Sequence, residues 1–388
     1  MVFCFSLNIG YHYDMVGALA GQTNQTLLEL NKRGLELLGS GNYNESLGYF
    51  DGALAISQDN AQVLDNKGFA LYALGNFSGA LYYYDRALAI EPNFTGALND
   101  KEAALLRLGN QLLKSASYSD AIVYYDKVLA INASNSHALN NKGFALYSLG
   151  NYSGSLPYYD RSLAIEPNNP VTLNNKGLAL YYLGNNSEAL PYYDRALAID
   201  PNYTNALVDK GVALGQLGNY SEALSILDKA LVLDPSDPGA LNSKGMALES
   251  LGRYNEAITF FDKALALEPN NPTTLSNKGF TLYEDGKNDD ALTYLDKSLA
   301  IAPNYTTALN NKGVVLQATG KNNEAITYFD RVLALNPKDV DSLNGKGVAL
   351  SNLGNYYEAL KYIDRALAIN PDYTLALKNK QKILDLLK

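Results

Sequence analysis

A glycine recurs along this chain at a fixed period, and that period limits the fold more than any feature of composition does. Gly34, Gly68, Gly109, Gly143, Gly177, Gly211, Gly245, Gly279, Gly313 and Gly347 stand 34 residues apart, except for one interval of 41 between Gly68 and Gly109. A repeat of this length means that the unit of structure is one repeat, completed by stacking on its neighbours. The 388 residues therefore encode an array, not the two or three domains that length alone would suggest. The letters around the glycine return as well: Asn-Asn-Lys-Gly stands at 140–143, 174–177 and 310–313.

Within one period, residues 61–94, two helical patterns follow each other. The first carries Leu64, Gly68, Leu71 and Tyr72; the second, after Gly75-Asn76, carries Ala80, Tyr84, Ala87, Leu88 and Ile90. Apolar residues three and four apart mark both as amphipathic helices. Asn-x-x-Glu at Asn42/Glu45, Asn185/Glu188, Asn219/Glu222 and Asn355/Glu358 predicts that the second helix opens with a capping box, the asparagine and the acid satisfying orphan N–H groups. Pro92, Pro167, Pro201, Pro235, Pro269, Pro303, Pro337 and Pro371 close it, because proline cannot continue a helix. Pro157 and Pro191, inside second helices, should bend them or delay their start.

This unit resembles the tetratricopeptide repeat. Counting Ala61 as position 1, the matching residues are Leu at 4, Gly at 8, an aromatic at 17 (Phe77, Tyr152, Tyr220, Tyr254, Tyr356), Ala at 20, an aromatic at 24 (Tyr84, Tyr125, Tyr159, Tyr193, Phe261, Phe329), Ala at 27 and Pro at 32. The match runs over residues 27–373. It implies an all-α chain, an α-solenoid wound as a right-handed superhelix of about ten helix-turn-helix repeats. Residues 374–388 read as a capping helix, with Leu377 and Leu384 inward and Lys378, Lys382 and Asp385 on other turns. The long interval has a readable cause: residues 95–101 already look like positions 1 to 7, and Glu102 begins a second opening. Seven residues are close to two helical turns, which predicts one long helix over 95–114.

The resemblance also implies that first helices line a concave groove, with positions 5, 6 and 12 on or near the ligand-facing side. Asparagine holds position 6 at Asn66, Asn141, Asn175, Asn277 and Asn311, and position 5 at Asn140, Asn174 and Asn310, with Asn31, Asn242 and Asn344 in the same row. A carboxamide matches the C=O and N–H of an extended peptide, so the row is a candidate ladder for gripping a backbone. The alternative is a polar residue copied by repeat duplication. Tyr72, Tyr147, Tyr181 and Tyr283 at position 12 stand beside the row as candidate anchors. Lysine at position 7 and aspartate at position 25 suggest a ladder of ion pairs within or between adjacent repeats. No repeat has lysine at position 5, so the carboxylate clamp of chaperone-binding family members is not met.

Other classes are disfavoured. A net charge of -9 without Lys/Arg runs argues against nucleic acid. One cysteine, Cys4, and two histidines, His12 and His137, leave no disulfide framework, metal site or histidine chemistry. No G-x-S-x-G or glycine-rich phosphate loop occurs, so neither catalysis nor a cofactor is expected. No apolar run reaches membrane-spanning length. Residues 1–26 read as a disordered segment or vestigial leader: Ala18-Leu19-Ala20 suits cleavage, but a basic start is missing and Asn8, His12 and Asp14 interrupt the apolar run. A cytoplasmic location is expected, with an exported or cell-surface chain as the alternative; only the latter would give meaning to sequons such as Asn76 and Asn151. The expected function is a scaffold taking a peptide or partner helix. A self-stacking assembly protein is the alternative, and a non-catalytic enzyme subunit a third.

Overall fold

The structure, a computed structural model, describes the backbone of residues 5–388 and the side chains of residues 21–388; the leader reading falls outside those side chains. All regular elements among the described residues are helices, and they group into two compact units, Met1–Gly184 and Asn185–Lys388. The first unit holds α1 (Phe5–Gly39), α2 (Tyr43–Ile56), α3 (Ala61–Ala73), α4 (Phe77–Ile90), α5 (Thr95–Lys114), α6 (Tyr118–Ile131), α7 (Ser136–Ser148), α8 (Tyr152–Ile165) and α9 (Pro170–Tyr182). The second holds α10 (Asn186–Ile199), α11 (Thr204–Gln216), α12 (Tyr220–Leu233), α13 (Pro238–Ser250), α14 (Tyr254–Leu267) and α15 (Pro272–Glu284). It continues with α16 (Asn288–Ile301), α17 (Thr306–Ala318), α18 (Asn322–Leu335), α19 (Val340–Asn352), α20 (Tyr356–Ile369) and α21 (Thr374–Leu386).

Within each unit every helix packs on the next, and odd-numbered helices also touch the following odd-numbered one, as α3 touches α5 and α13 touches α15. Among the described residues no even-numbered helix touches another even-numbered one. The odd helices therefore form the crowded inner side of each unit, and the even helices spread on the outer side. Each unit is an α-solenoid of stacked hairpins.

The hairpin turn shows why glycine recurs at its other place in the repeat. Gly75 takes φ +80° while its N–H and that of Asn76 bond back to the carbonyls of Tyr72 and Leu71, both at 2.9 Å, closing α3 in a left-handed cap. At the equivalent turn after α5 the residue is Ala116, held at φ 57°. The capping boxes expected at the start of the even helices do not form. Asn42, Asn185, Asn219 and Asn355 occupy the N-cap position, but none accepts a side-chain cap hydrogen bond. Asn76 and Asn151 do accept one, from the N–H of Gly79 and Gly154. A Cβ at Gly79 would stand 2.7 Å from Asn76 Nδ2, and one at Gly154 2.5 Å from Asn151 Nδ2. Among these asparagines at the start of even helices, the cap bond is made where the third helical residue is glycine and is not made where it is glutamate.

The core is the seam between the two helices of each hairpin. Ala80, Tyr84 and Ala87 are fully buried, and a Cβ on Gly68 would come within 2.5 Å of the Tyr84 ring. The same contact recurs between Gly143 and Tyr159, Gly245 and Phe261, and Gly313 and Phe329. Glycine costs about 1 kcal/mol in a helix interior, less than the burial of a large aromatic returns. The long helix α5 has the predicted bounds and serves two registers: Lys101 pairs backwards with Asp85 of α4, while Gly109 receives the ring of Tyr125 from α6. Pro157 and Pro191 neither shorten nor delay α8 and α10, which match their neighbours at 14 residues.

Lysine and aspartate pair between repeats, not within them: Lys142 with Asp126, Lys176 with Asp160, Lys278 with Asp262, and Lys210 with Asp194 at 2.7 Å. Each lysine stem is largely buried, and Lys142, Lys278 and Lys346 lie over the rings of Tyr158, Tyr294 and Tyr362. For Lys278, burial alone acts to lower the pKa, but hydrogen bonds with Asp262 and Tyr294 outweigh it and hold the ammonium above the ordinary lysine range. A second link runs from Arg86 to the carbonyl of Gln58 at 2.8 Å and from Arg161 to that of Ala133 at 3.1 Å. On α21 the expectation for the cap is corrected: Leu377 and Leu384 are exposed, and the residues that α21 buries against α19 and α20 are Ala376 and Ile383.

Candidate functional site

The odd helices carry the predicted asparagines, and the structure joins them across repeats. In the first unit Asn66 Nδ2 donates to Asn31 Oδ1 at 2.9 Å and Asn175 Nδ2 to Asn140 Oδ1 at 3.1 Å. In the second unit Asn277 Nδ2 donates to Asn242 Oδ1 at 3.1 Å, and Asn379 Nδ2 to Asn344 Oδ1 at 2.9 Å. Position 6 of one repeat thus binds position 5 of the repeat before it, 35 residues earlier. Where position 5 changes, the partner changes with it: Asn311 donates to Ser276 Oγ at 3.2 Å, and Asn141 to Asn110 Oδ1 at 2.8 Å. Tyr125 also donates to Asn110, from the core side, at 2.9 Å. Asn310 accepts from Ser342 Oγ at 3.1 Å.

Burial divides the row. Asn66, Asn174 and Asn175 are buried, whereas Asn140, Asn141, Asn277, Asn310 and Asn311 are half-buried. A carboxamide has two N–H donors and an oxygen with two lone pairs, so a half-buried rung member such as Asn277 spends only one N–H on its neighbour. These residues are therefore stacking contacts first, with capacity for a ligand left at the half-buried ones.

The four tyrosines are half-buried on odd-numbered helices, Tyr72, Tyr147 and Tyr181 in the first unit and Tyr283 in the second. Tyr72 lies between Phe69 and Phe77, with centroids 6.2 and 5.3 Å away, and its hydroxyl accepts from Arg107 Nε at 3.4 Å. Tyr147 meets Phe144, Tyr152 and Tyr182, the last edge-on at 5.5 Å. Tyr182 also stacks on Tyr152 at 5.1 Å and touches Tyr181, and it is half exposed. Sequence reasoning passed over Tyr182; the Tyr181-Tyr182 doublet, which puts a second ring at position 13, was the available signal. In the second unit Tyr283 packs on Phe280 at 5.9 Å. Two acids, also unremarked in the sequence, stand there. Burial first and the charge of Glu284 second raise the Glu249 carboxyl above its ordinary range, and burial with Glu284 likewise raises Tyr283. The inner side of the first unit is thus rich in rings, and this part of the second is acidic.

Among the described residues no group of three or more histidine, cysteine, aspartate or glutamate side chains could hold a metal ion, and no helix is long and apolar enough to cross a membrane. A stacked array of helical hairpins whose inner helices carry a polar row set with aromatics defines the class, an α-solenoid repeat scaffold. Three tetratricopeptide repeat models match the sequence, at 61–94, at 134–202 and 270–338, and at 174–238, 208–272 and 310–374. The chain belongs to the tetratricopeptide repeat family. Protein interaction, in general terms, is what that membership supports.

Comparison with the curated proteins returned no match. Among solved structures, the Cut9-Hcn1 hetero-tetramer of the APC/C is similar at TM-score 0.60 and 16% identity, over 95% of this chain and 88% of that one. A tetratricopeptide repeat protein from Parabacteroides merdae is similar at TM-score 0.51 and 18% identity, over 75% of this chain and 98% of that one. At these identities the likeness shows the fold alone.

Proposed function

We propose that the chain is a non-enzymatic scaffold that receives an extended peptide along the inner helices of a unit. The observation that carries this reading is the set of half-buried carboxamides on helices that also carry partly open rings: Asn140 and Asn141 on α7 with Tyr147, which meets Tyr182, and Asn277 on α15 with Tyr283, with Asn310 and Asn311 on α17, which touches α15. Spare amide capacity suits peptide backbone, and the rings supply contact area at low entropic cost. Partner identity then rests on side-chain fit. The test is affinity capture with the wild type beside two variants, Tyr147→Ala/Tyr182→Ala and Asn141→Ala/Asn311→Ala, each first shown to be folded. Loss of a common captured partner with either variant supports the reading, and equal capture by all three refutes it.

The exposed Leu377 and Leu384 of α21 favour a second reading, an assembly protein that stacks through this end. Light scattering across concentration separates the two: growth in size that Leu377→Glu/Leu384→Glu abolishes points to stacking, and an unchanging monomer removes it.

A further inference from the structure

One rung of the asparagine row is built differently, and it sits where the period breaks. Between α3 and the long helix α5, position 5 is Asp65 and the residue 35 further on is Asp100. At five other rungs of this row the later residue brings an N–H to the earlier oxygen: Asn66 to Asn31, Asn175 to Asn140, Asn277 to Asn242, Asn311 to Ser276 and Asn379 to Asn344. Two ionised carboxylates bring only acceptors, so this rung has no bond to make unless one of them carries a proton.

The surroundings deepen the mismatch. Asp65 is 6% exposed, and its Oδ1 is wholly buried without a hydrogen-bond partner. Its Oδ2 lies over Gly96 in the first turn of α5, where a Cβ would come within 3.3 Å. Tyr84 of α4, fully buried, also has an unpartnered hydroxyl, and it feels the charges of both Asp100 and Asp65. Its equivalent one repeat later, Tyr125, does find a partner in Asn110. Of the cations on α1, α3, α4 and α5, Lys67 pairs with Asp51 of α2, Lys101 with Asp85 of α4 and Arg33 with Glu36, Arg107 reaches the Tyr72 hydroxyl and Arg86 the carbonyl of Gln58, and Lys32 and Lys114 are exposed. Glu102 of α5 is occupied by Asn132 and Asn135.

We propose that Asp65 and Asp100 share one proton, so that the joint between α3 and α5 is a proton-gated rung that tightens on acidification. With the proton present, an O–H from one carboxyl to an oxygen of the other replaces the amide bond used elsewhere in the row. Without it, two negative charges face each other beside a buried phenol. Burial, and then the Asp100 charge, push the Asp65 carboxyl up to about 7, and burial raises Asp100 as well. The sign follows from linkage. A carboxyl raised in the folded state holds a proton that the unfolded chain has released, so stability falls as pH rises from about 4 to about 7 and is level above.

The test is pH-dependent hydrogen exchange of the α3–α5 amides in the full chain, corrected for intrinsic rates, for wild type, Asp100→Asn and Asp65→Asn. Either substitution restores an N–H to the rung and removes the need for a proton. Wild type should lose protection in α3–α5 by up to about tenfold per pH unit in that window, the limit for one linked proton. Both variants should lose clearly less. Parallel profiles in wild type and variants overturn the proposal. Should a variant not fold, the infrared band of a protonated carboxyl in wild type decides: present below neutrality and lost above it in support, absent throughout in refutation.

Discussion

Asn277 and Asn242, 35 residues apart, are joined by a single side-chain amide bond of 3.1 Å that crosses from one repeat to the next. Asn277→Ala should therefore cost about 1 kcal/mol, the ordinary worth of one such bond, and leave Asn242 Oδ1 without its donor. The double variant with Asn242→Ala should cost less than the sum of the two single ones. Urea denaturation measures both. A row that served ligands alone would show no stability loss.

Gly245 lies under the fully buried ring of Phe261, and a Cβ there would stand 2.6 Å from its Cε1. Alanine is the better helix former by about 1 kcal/mol, while overpacking costs about 1–3 kcal/mol. Gly245→Ala should thus destabilise the wild type yet stabilise a Phe261→Ala background, where the ring is gone. The change of sign between backgrounds, read from denaturant midpoints, is the check.

Ala116 holds the left-handed conformation that glycine takes in the other turns of its kind, such as Gly218 at φ 80°. A side chain in that region costs about 1–2 kcal/mol. Ala116→Gly should stabilise the protein by about 1 kcal/mol, and Gly218→Ala should destabilise it similarly. Paired thermal melts test the two opposite signs.

Glu249 carries a raised carboxyl pKa because it is partly buried and faces Glu284. The folded state then holds a proton that the unfolded chain has given up, so the penalty is absent near pH 4 and grows toward neutrality. Glu249→Gln should raise the Tm at neutral pH, with a gain that shrinks on acidification. A gain equal at both ends of the range would show that the charge is not the cause.

The features legible in the sequence were those decided within one repeat. Glycine and proline mark helix ends through backbone geometry alone, so the bounds of α3, α4 and even the 20-residue α5 could be read directly. The lysine and aspartate types were equally plain, but the partner of Lys176 is Asp160 behind it, because the pairing is set by the packing of one hairpin on another. The caps failed for a finer reason than residue type: Asn42, followed by Glu45, leaves its cap bond unmade, whereas Asn76, followed by Gly79, makes it. At the candidate site the residue types were visible and their mutual bonding was not. Asn66 and Asn175 spend amide groups on their neighbours, and Tyr182 joins Tyr147 only once two helices are side by side.

The aspartate-to-lysine links reach one unit back and no further. Excising the 34 residues Pro272 to Tyr305 would bring Thr306 directly after Asn271 and set Lys312 against Asp262, the position Lys278 holds now. The lysine–aspartate edges therefore stay matched when such a module is removed or added, whereas cutting within α5, whose two ends speak different registers, would part Lys101 and Gly109 from the neighbours each now meets.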